Sequence, residues 1–272
     1  CQLGENVALK GGYAADAVFL DGANLGLGHH VRGGTLLEEE AGGAHCVGLK
    51  QTILLPFVTL GSLINFCDCL MAGGTSRSDH SEVGSSYIHF NLTPDGDKAT
   101  PSLFGDVPRG VMLRERPIFL GGQGGAVGPI GVAYGAVVGA GSVLRSDVVK
   151  EGSLVIVGPP PSMVQPYAAG DYRSINRVVG RNIEYLAQLR ALQVWYDTAR
   201  RPFLTRDPFG ALVFDGAVEL LRGAVAERVK RLTSMVAKVS PTDDARAALR
   251  TSIAAVCEQV TPLTPAAPDD AF

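Results

Sequence analysis

No apolar run in this sequence reaches the roughly 18 residues that a membrane-spanning helix needs, so no segment is expected to cross a bilayer. A basic surplus is also missing. The 24 Lys and Arg stand against 27 Asp and Glu, and no basic patch or stripe emerges, which argues against a nucleic-acid partner. Paired cysteine motifs are absent. Among five Cys, Cys67-Asp68-Cys69 has one intervening residue instead of the two of a redox or zinc pair, and no second pair exists. Reduced, buried thiols in a cytoplasmic protein fit this usage. No secretory leader is visible, and the chain opens on Cys1 rather than Met, which reads as a fragment or a processed form.

What the sequence has in excess is glycine, 34 in 272 residues, about twice the average usage of roughly 7%. The glycines accompany a period of six. Phe19, Leu25, Val31, Leu37, Gly43 and Leu49 recur at that interval, with Ala23, His29, Thr35, Ala41, Val47 and Ile53 four places after each. The pattern returns at Leu120, Ala126, Val132, Val138 and Leu144. Six is neither the period of a lone strand nor that of a helix. It suits a chain that turns a corner after each short strand, and hexapeptide periodicity marks a parallel β-helix. Between Gln51 and Arg116 the period loosens, with Asn65 and Met71 leading two hexads. The polar stretch from Ser76 to Pro108 reads as a coil with an extruded loop lying over the side of the helix.

After Lys150 the period stops. Leu154 to Val157 reads as a last strand, and Gly158 with Pro159–Pro161 as a linker. Ile183, Leu186, Leu189, Leu192 and Trp195 recur at helical spacing within an amphipathic helix from Ser174 to Arg200. Further helices are expected from about Gly216 to Val239 and from about Thr242 to Val260, before a disordered tail. The expected fold is therefore mainly β. A parallel β-helix of about seven coils spans 1–157, with a linker over 158–173, a small helical appendage over 174–260 and a tail over 261–272.

The segment VRGGTLLEEEAGGAHCVGLKQT resembles a run close to LRPGAxLxxGxHVGNFVEhKKS, where h is apolar. That run belongs to the hexapeptide-repeat acetyltransferase domain of the bifunctional UDP-N-acetylglucosamine pyrophosphorylase/glucosamine-1-phosphate acetyltransferases. The later hexads AVGPIGVAYGAVVGAGSVLRSDV are similar to text shared by many hexapeptide acyltransferases. The resemblance covers roughly residues 19–150. It implies a left-handed winding, which sequence physics alone does not give. It also implies a homotrimer, with sites for a sugar phosphate or nucleotide sugar and for acetyl-CoA between subunits.

Carried over residue by residue, the resemblance places Arg32 on the family's sugar-phosphate arginine and Lys50 on its lysine. Both suit a phosphate, Arg as a two-pronged donor and Lys as a point charge. They lie 18 residues apart, three hexads and so one turn, which predicts neighbouring positions on one edge. Asn91 and Lys98, in HFNLTPDGDK, resemble a second substrate-binding segment. The family's catalytic histidine falls on Phe57, which cannot accept a proton. His80, between Asp79 and Glu82, and His89, two residues before Asn91, are the candidate substitutes for that base. His29 and His45 read as structural and His30 as solvent-facing; Asp79, His80 and Glu82 have no spacing that demands a metal. The expected function is a hexapeptide-repeat transferase acting on a sugar phosphate or UDP-N-acetylglucosamine-type nucleotide sugar with acetyl-CoA. A non-catalytic sugar-nucleotide-binding module, and a trimerisation module without small ligand, are the alternatives.

Overall fold

Each coil of the protein is closed by corners at which the backbone enters the left-handed region. The computed structural model describes residues 1–88, 97–172 and 174–260. It forms a parallel β-solenoid with three flat faces and about eight turns. One corner column holds Gly22 (φ 71°), Glu40 (55°) and Phe57 (74°). A second holds Gly28 (80°), Cys46 (57°) and Leu63 (59°), and a third Gly34 (78°), Gln51 (50°) and Asp68 (55°). Members of a column are 17 or 18 residues apart, the length of one coil, so each side takes about six residues. That is the physical origin of the sequence period. Non-glycine residues in this region are strained by roughly 1–2 kcal/mol each. Eight of these nine corner amides donate to a carbonyl of the preceding coil, as in Glu40 N to Asp21 O (2.9 Å) and Leu63 N to His45 O (3.0 Å).

Face one carries the strands Gln2–Leu3, Ala17–Phe19, Thr35–Leu37, the second half of Val47–Leu54, the second half of Ile64–Met71, Ser102–Phe104 and Gly131–Val132. Face two is an eight-stranded sheet from Ala8–Leu9 to Leu154–Val155. Face three runs from Gly12–Ala14 through His29–Val31 and the first halves of the two long strands to Ser86–Ile88, Gly124–Ala126 and Val143–Leu144. Inside, Phe19, Leu37, Leu54, Met71, Phe104 and Val132 stack in register along face one, all of them buried.

The helices are α1 (Val107–Gly110), α2 (Ile175–Trp195, continued by a π-turn at Tyr196–Arg200), α3 (Arg201–Leu204), α4 (Pro208–Val236) and α5 (Asp244–Val260). Helix α4 starts well before the expected Gly216, because Asp207 caps it by accepting from Phe209 N and Gly210 N at 2.9 Å and Pro208 follows. Helices α2 and α4 share one core with the solenoid, lying antiparallel along face one. Contacts of α2 descend the coils, from Arg177 with Pro129 O (2.6 Å) through Asn182 with Ala99 O (3.1 Å) to Tyr196 with Glu38 (2.7 Å). Helix α4 returns from Gly216, beside Gln2, to Arg228, which meets Asp68 at 2.8 Å. Beneath them the outward side chains Val18, Leu36, Ile53, Leu70 and Leu103 are buried. Each contributes roughly 1.5–3 kcal/mol when fully withdrawn from water.

The polar text from Ser76 onward is not one loop. A hairpin pairs Gly74–Ser76 with Asp79–His80, two short strands rejoin the solenoid at Glu82–Val83 and Ser86–Ile88, and α1 follows Ser102–Phe104. The hairpin replaces a corner, which is why the period blurs there.

Candidate functional site

Helices cover face one, while face three presents its outward side chains to solvent. Its central column is Tyr13, His30, Gly48, Asn65 and Tyr87 in register. Tyr13 and Tyr87 are more than half exposed, and the Tyr13 ring meets His30 edge-on at 5.2 Å. Two residues further along the strands lie Arg32, Lys50 and Cys67. Arg32 N donates to Leu49 O (2.8 Å), and Lys50 pairs with Cys67, so the three occupy successive ladder positions.

Arg32 is exposed and Lys50 half-buried. Among the described residues neither forms an ion pair. Arg32 Nη2 lies 3.7 Å from Cys67 Sγ. Burial pushes the Cys67 thiol up, the Asp68 carboxylate pushes the same way, and Arg32 and Lys50 oppose both. Cys67 is thus a neutral thiol at neutral pH, and it does not discharge the two cations beside it. Strands 4.7–4.9 Å apart would not hold adjacent like charges for stability's sake. Lys98 is half-buried and stands two residues before Thr100, whose hydroxyl donates to Asp68 at the neighbouring corner (3.4 Å). His89 and Asn91 lie outside the described residues.

Phe57 is half-buried at the corner between faces one and two, the opposite edge of face one from Lys50. The hairpin folds onto that corner through Arg77, which donates to Phe57 O (3.0 Å), Glu40 O (2.8 Å) and the Thr59 hydroxyl. His80 follows on the same hairpin. Neither flanking carboxylate orients it: Asp79 Oδ2 accepts from Thr75 Oγ1 (2.7 Å), and Glu82 is exposed. Its Nδ1 is buried with no hydrogen-bond partner among the described residues. Within one chain, then, His80 and the Arg32–Lys50 pair lie at different corners. No group of three or more His, Cys, Asp and Glu among the described residues could hold a metal ion.

His29 is buried with Nδ1 3.0 Å from Gly26 O, and His30 faces solvent. His45 is instead exposed, with Nδ1 2.7 Å from Ser62 Oγ. Sequence reasoning passed over this pair. The signal was their separation of 17 residues, one coil, the same rule that joins Arg32 to Lys50.

No helix among the described residues is long and apolar enough to cross a membrane. No protein-family model matches the chain. Similarity is found to the "Bifunctional protein GlmU" of Thermotoga maritima, and to proteins of the same name from Thermotoga petrophila and Thermotoga sp. strain RQ2. Each is 24% identical over 148 residues, which is 54% of this chain. The chain spans 29% of the length of these relatives. Together with the parallel solenoid, this distant likeness is consistent with a hexapeptide-repeat acetyltransferase-like fold.

Proposed function

We propose that this chain is a hexapeptide-repeat transferase-like module that binds a sugar phosphate or a UDP-N-acetylglucosamine-type nucleotide sugar on face three. The observation that carries the reading is the juxtaposition of Arg32 and Lys50 on one open ladder, with no carboxylate partner among the described residues. A guanidinium and an ammonium one strand apart match the oxygens of one phosphate or pyrophosphate, the first by two parallel hydrogen bonds and the second as a point charge. The distant similarity to the bifunctional GlmU proteins supports the same ligand class. Acetyl-CoA is the donor the reading implies, and a homotrimer built through faces two and three the assembly. With face one covered by α2 and α4, those two faces are the ones left for subunit contact.

Phe57 favours a second reading, a binding module without chemistry, because its ring offers no proton acceptor at the position the resemblance assigns to the base. Titration calorimetry with glucosamine 1-phosphate and with UDP-N-acetylglucosamine tests the shared element of both. Binding should weaken at least tenfold in Arg32→Ala and in Lys50→Ala. Unchanged binding in both variants removes the site, whichever reading is held.

A further inference from the structure

The proton acceptor missing at Phe57 has an alternative at the edge of the open face. His45 and Ser62 occupy successive turns of the corner between faces two and three, and Leu63 N donating to His45 O at 3.0 Å fixes their stacking. The His45 ring reaches Ser62 Oγ through Nδ1 at 2.7 Å, which leaves Nε2 of this exposed side chain without a partner among the described residues. From His45 the chain runs straight into the strand that bears Gly48 and then Lys50. His30 and Asn65 flank Gly48 on the neighbouring strands, so the residue without a side chain sits in an opening two strand spacings wide, about 10 Å. His45 precedes Lys50 by five residues, about 16 Å of extended strand. Both side chains and a ligand lying over Gly48 shorten that gap.

We propose that His45 is the general base for acyl transfer to a ligand held by Arg32 and Lys50, and that Ser62 is its positioning residue; this rests on the functional reading above. The acceptor's amine attacks the carbonyl carbon of an acyl thioester while an N–H proton passes to His45 Nε2. The new C–N bond forms, the C–S bond breaks, and the departing thiolate keeps the bonding pair and takes the proton back from the imidazolium. Ser62 as nucleophile is disfavoured, because that arrangement needs a third group to orient the base. No described residue bonds the other nitrogen of His45.

The native chain, His45→Gln and Ser62→Ala are compared by calorimetry with glucosamine 1-phosphate and by release of free thiol from acetyl-CoA across pH. His45→Gln should keep sugar-phosphate affinity within about twofold while kcat falls 10²–10⁴-fold, the usual contribution of a general base. Ser62→Ala should lower kcat about tenfold at constant KM and displace the acidic limb of the kcat profile, which a purely structural serine would not move. A His45→Gln chain with native kcat overturns the proposal. So does an acetylated Ser62 found by mass spectrometry, and so does a native chain that binds the sugar phosphate yet releases no thiol. A native chain that binds no sugar phosphate overturns the ligand assignment itself, and the base with it.

Discussion

Face one and face three are built by the same coils and the same ladder, yet their outward columns carry opposite chemistry. On face one the column reads Val18, Leu36, Ile53, Leu70 and Leu103, all of it 0–3% exposed beneath α2 and α4. On face three it reads Tyr13, His30, Gly48, Asn65 and Tyr87, and the two tyrosines are more than half exposed. Charge follows the same division. Arg228 and Arg200 on the covered side are tied to Asp68 and Glu39, whereas Arg32 and Lys50 on the open side have no carboxylate partner among the described residues. Cations are neutralised on the face the helices cover, and the ligand proposed above would bind where they are not.

The strongest test of that division is Arg228. Its bond to Asp68 is 2.8 Å long, both side chains are almost fully buried, and removing one partner leaves a carboxylate without its guanidinium in a dry site. Arg228→Ala is expected to cost about 3–5 kcal/mol in urea unfolding. The double change Arg228→Met with Asp68→Asn should restore much of that loss, since a neutral pair avoids the desolvation of two charges. A loss in Arg228→Ala no larger than that of a surface change, about 0.5 kcal/mol, would mean that the helices are not held to face one as described.

Much of this contrast was legible in the sequence. The six-residue period gave the solenoid because a corner column demands one special backbone position per side. Arg32 and Lys50 were paired from their spacing because coil length converts sequence distance into ladder position. The cover on face one also had a signal. Val18-Phe19, Leu36-Leu37, Ile53-Leu54, Leu70-Met71 and Leu103-Phe104 are apolar doublets, and a strand that is apolar on both parities is buried on both sides. What periodicity could not reach were the contacts that depend on tertiary approach. Tyr196 finds Glu38 158 residues away, and Arg77 reaches Phe57 O only because the hairpin folds back. Nor does anything in the Glu38-Glu39-Glu40 run itself mark a buried carboxylate. Only once α2 lies across it is Glu38 buried.

That burial sets a smaller, pH-dependent effect. Desolvation raises Glu38 to about 7, with the neighbouring Glu39 acting in the same direction; the Arg200 charge and the Tyr196 hydrogen bond pull it down. The folded pKa lies above the ordinary carboxyl value of 4.5, so the folded chain holds a proton that the unfolded chain has released across that window. The favourable protonated state is fully present below about 4.5, and its advantage is lost as pH rises through about 7. Glu38→Gln keeps an oxygen for the Tyr196 hydroxyl and removes the titration. It should therefore gain stability relative to the native chain above pH 7, on the order of 1 kcal/mol or more, and lose that advantage near pH 4.5. Melting curves of the two proteins across this range decide it, and parallel curves at every pH would remove Glu38 as the cause.

The least effect on stability should come from the open face, and its sign is the informative part. Arg32 and Lys50 stand on adjacent strands with like charge, an arrangement that costs a few tenths of a kcal/mol. Replacing Arg32 with Ala breaks no ion pair among the described residues and removes one side of that repulsion. The expected result is a melting temperature equal to the native value or slightly higher, within about 0.5 kcal/mol. The gain should be visible at low ionic strength and vanish near 1 M salt, where screening acts within about 3 Å. Lys50→Ala should behave alike, and the double variant should gain no more than one of the singles, because either change already removes the pair. Loss of more than about 1 kcal/mol in Arg32→Ala would show that Arg32 holds the fold together, and the contrast between the two faces would then fail on its open side.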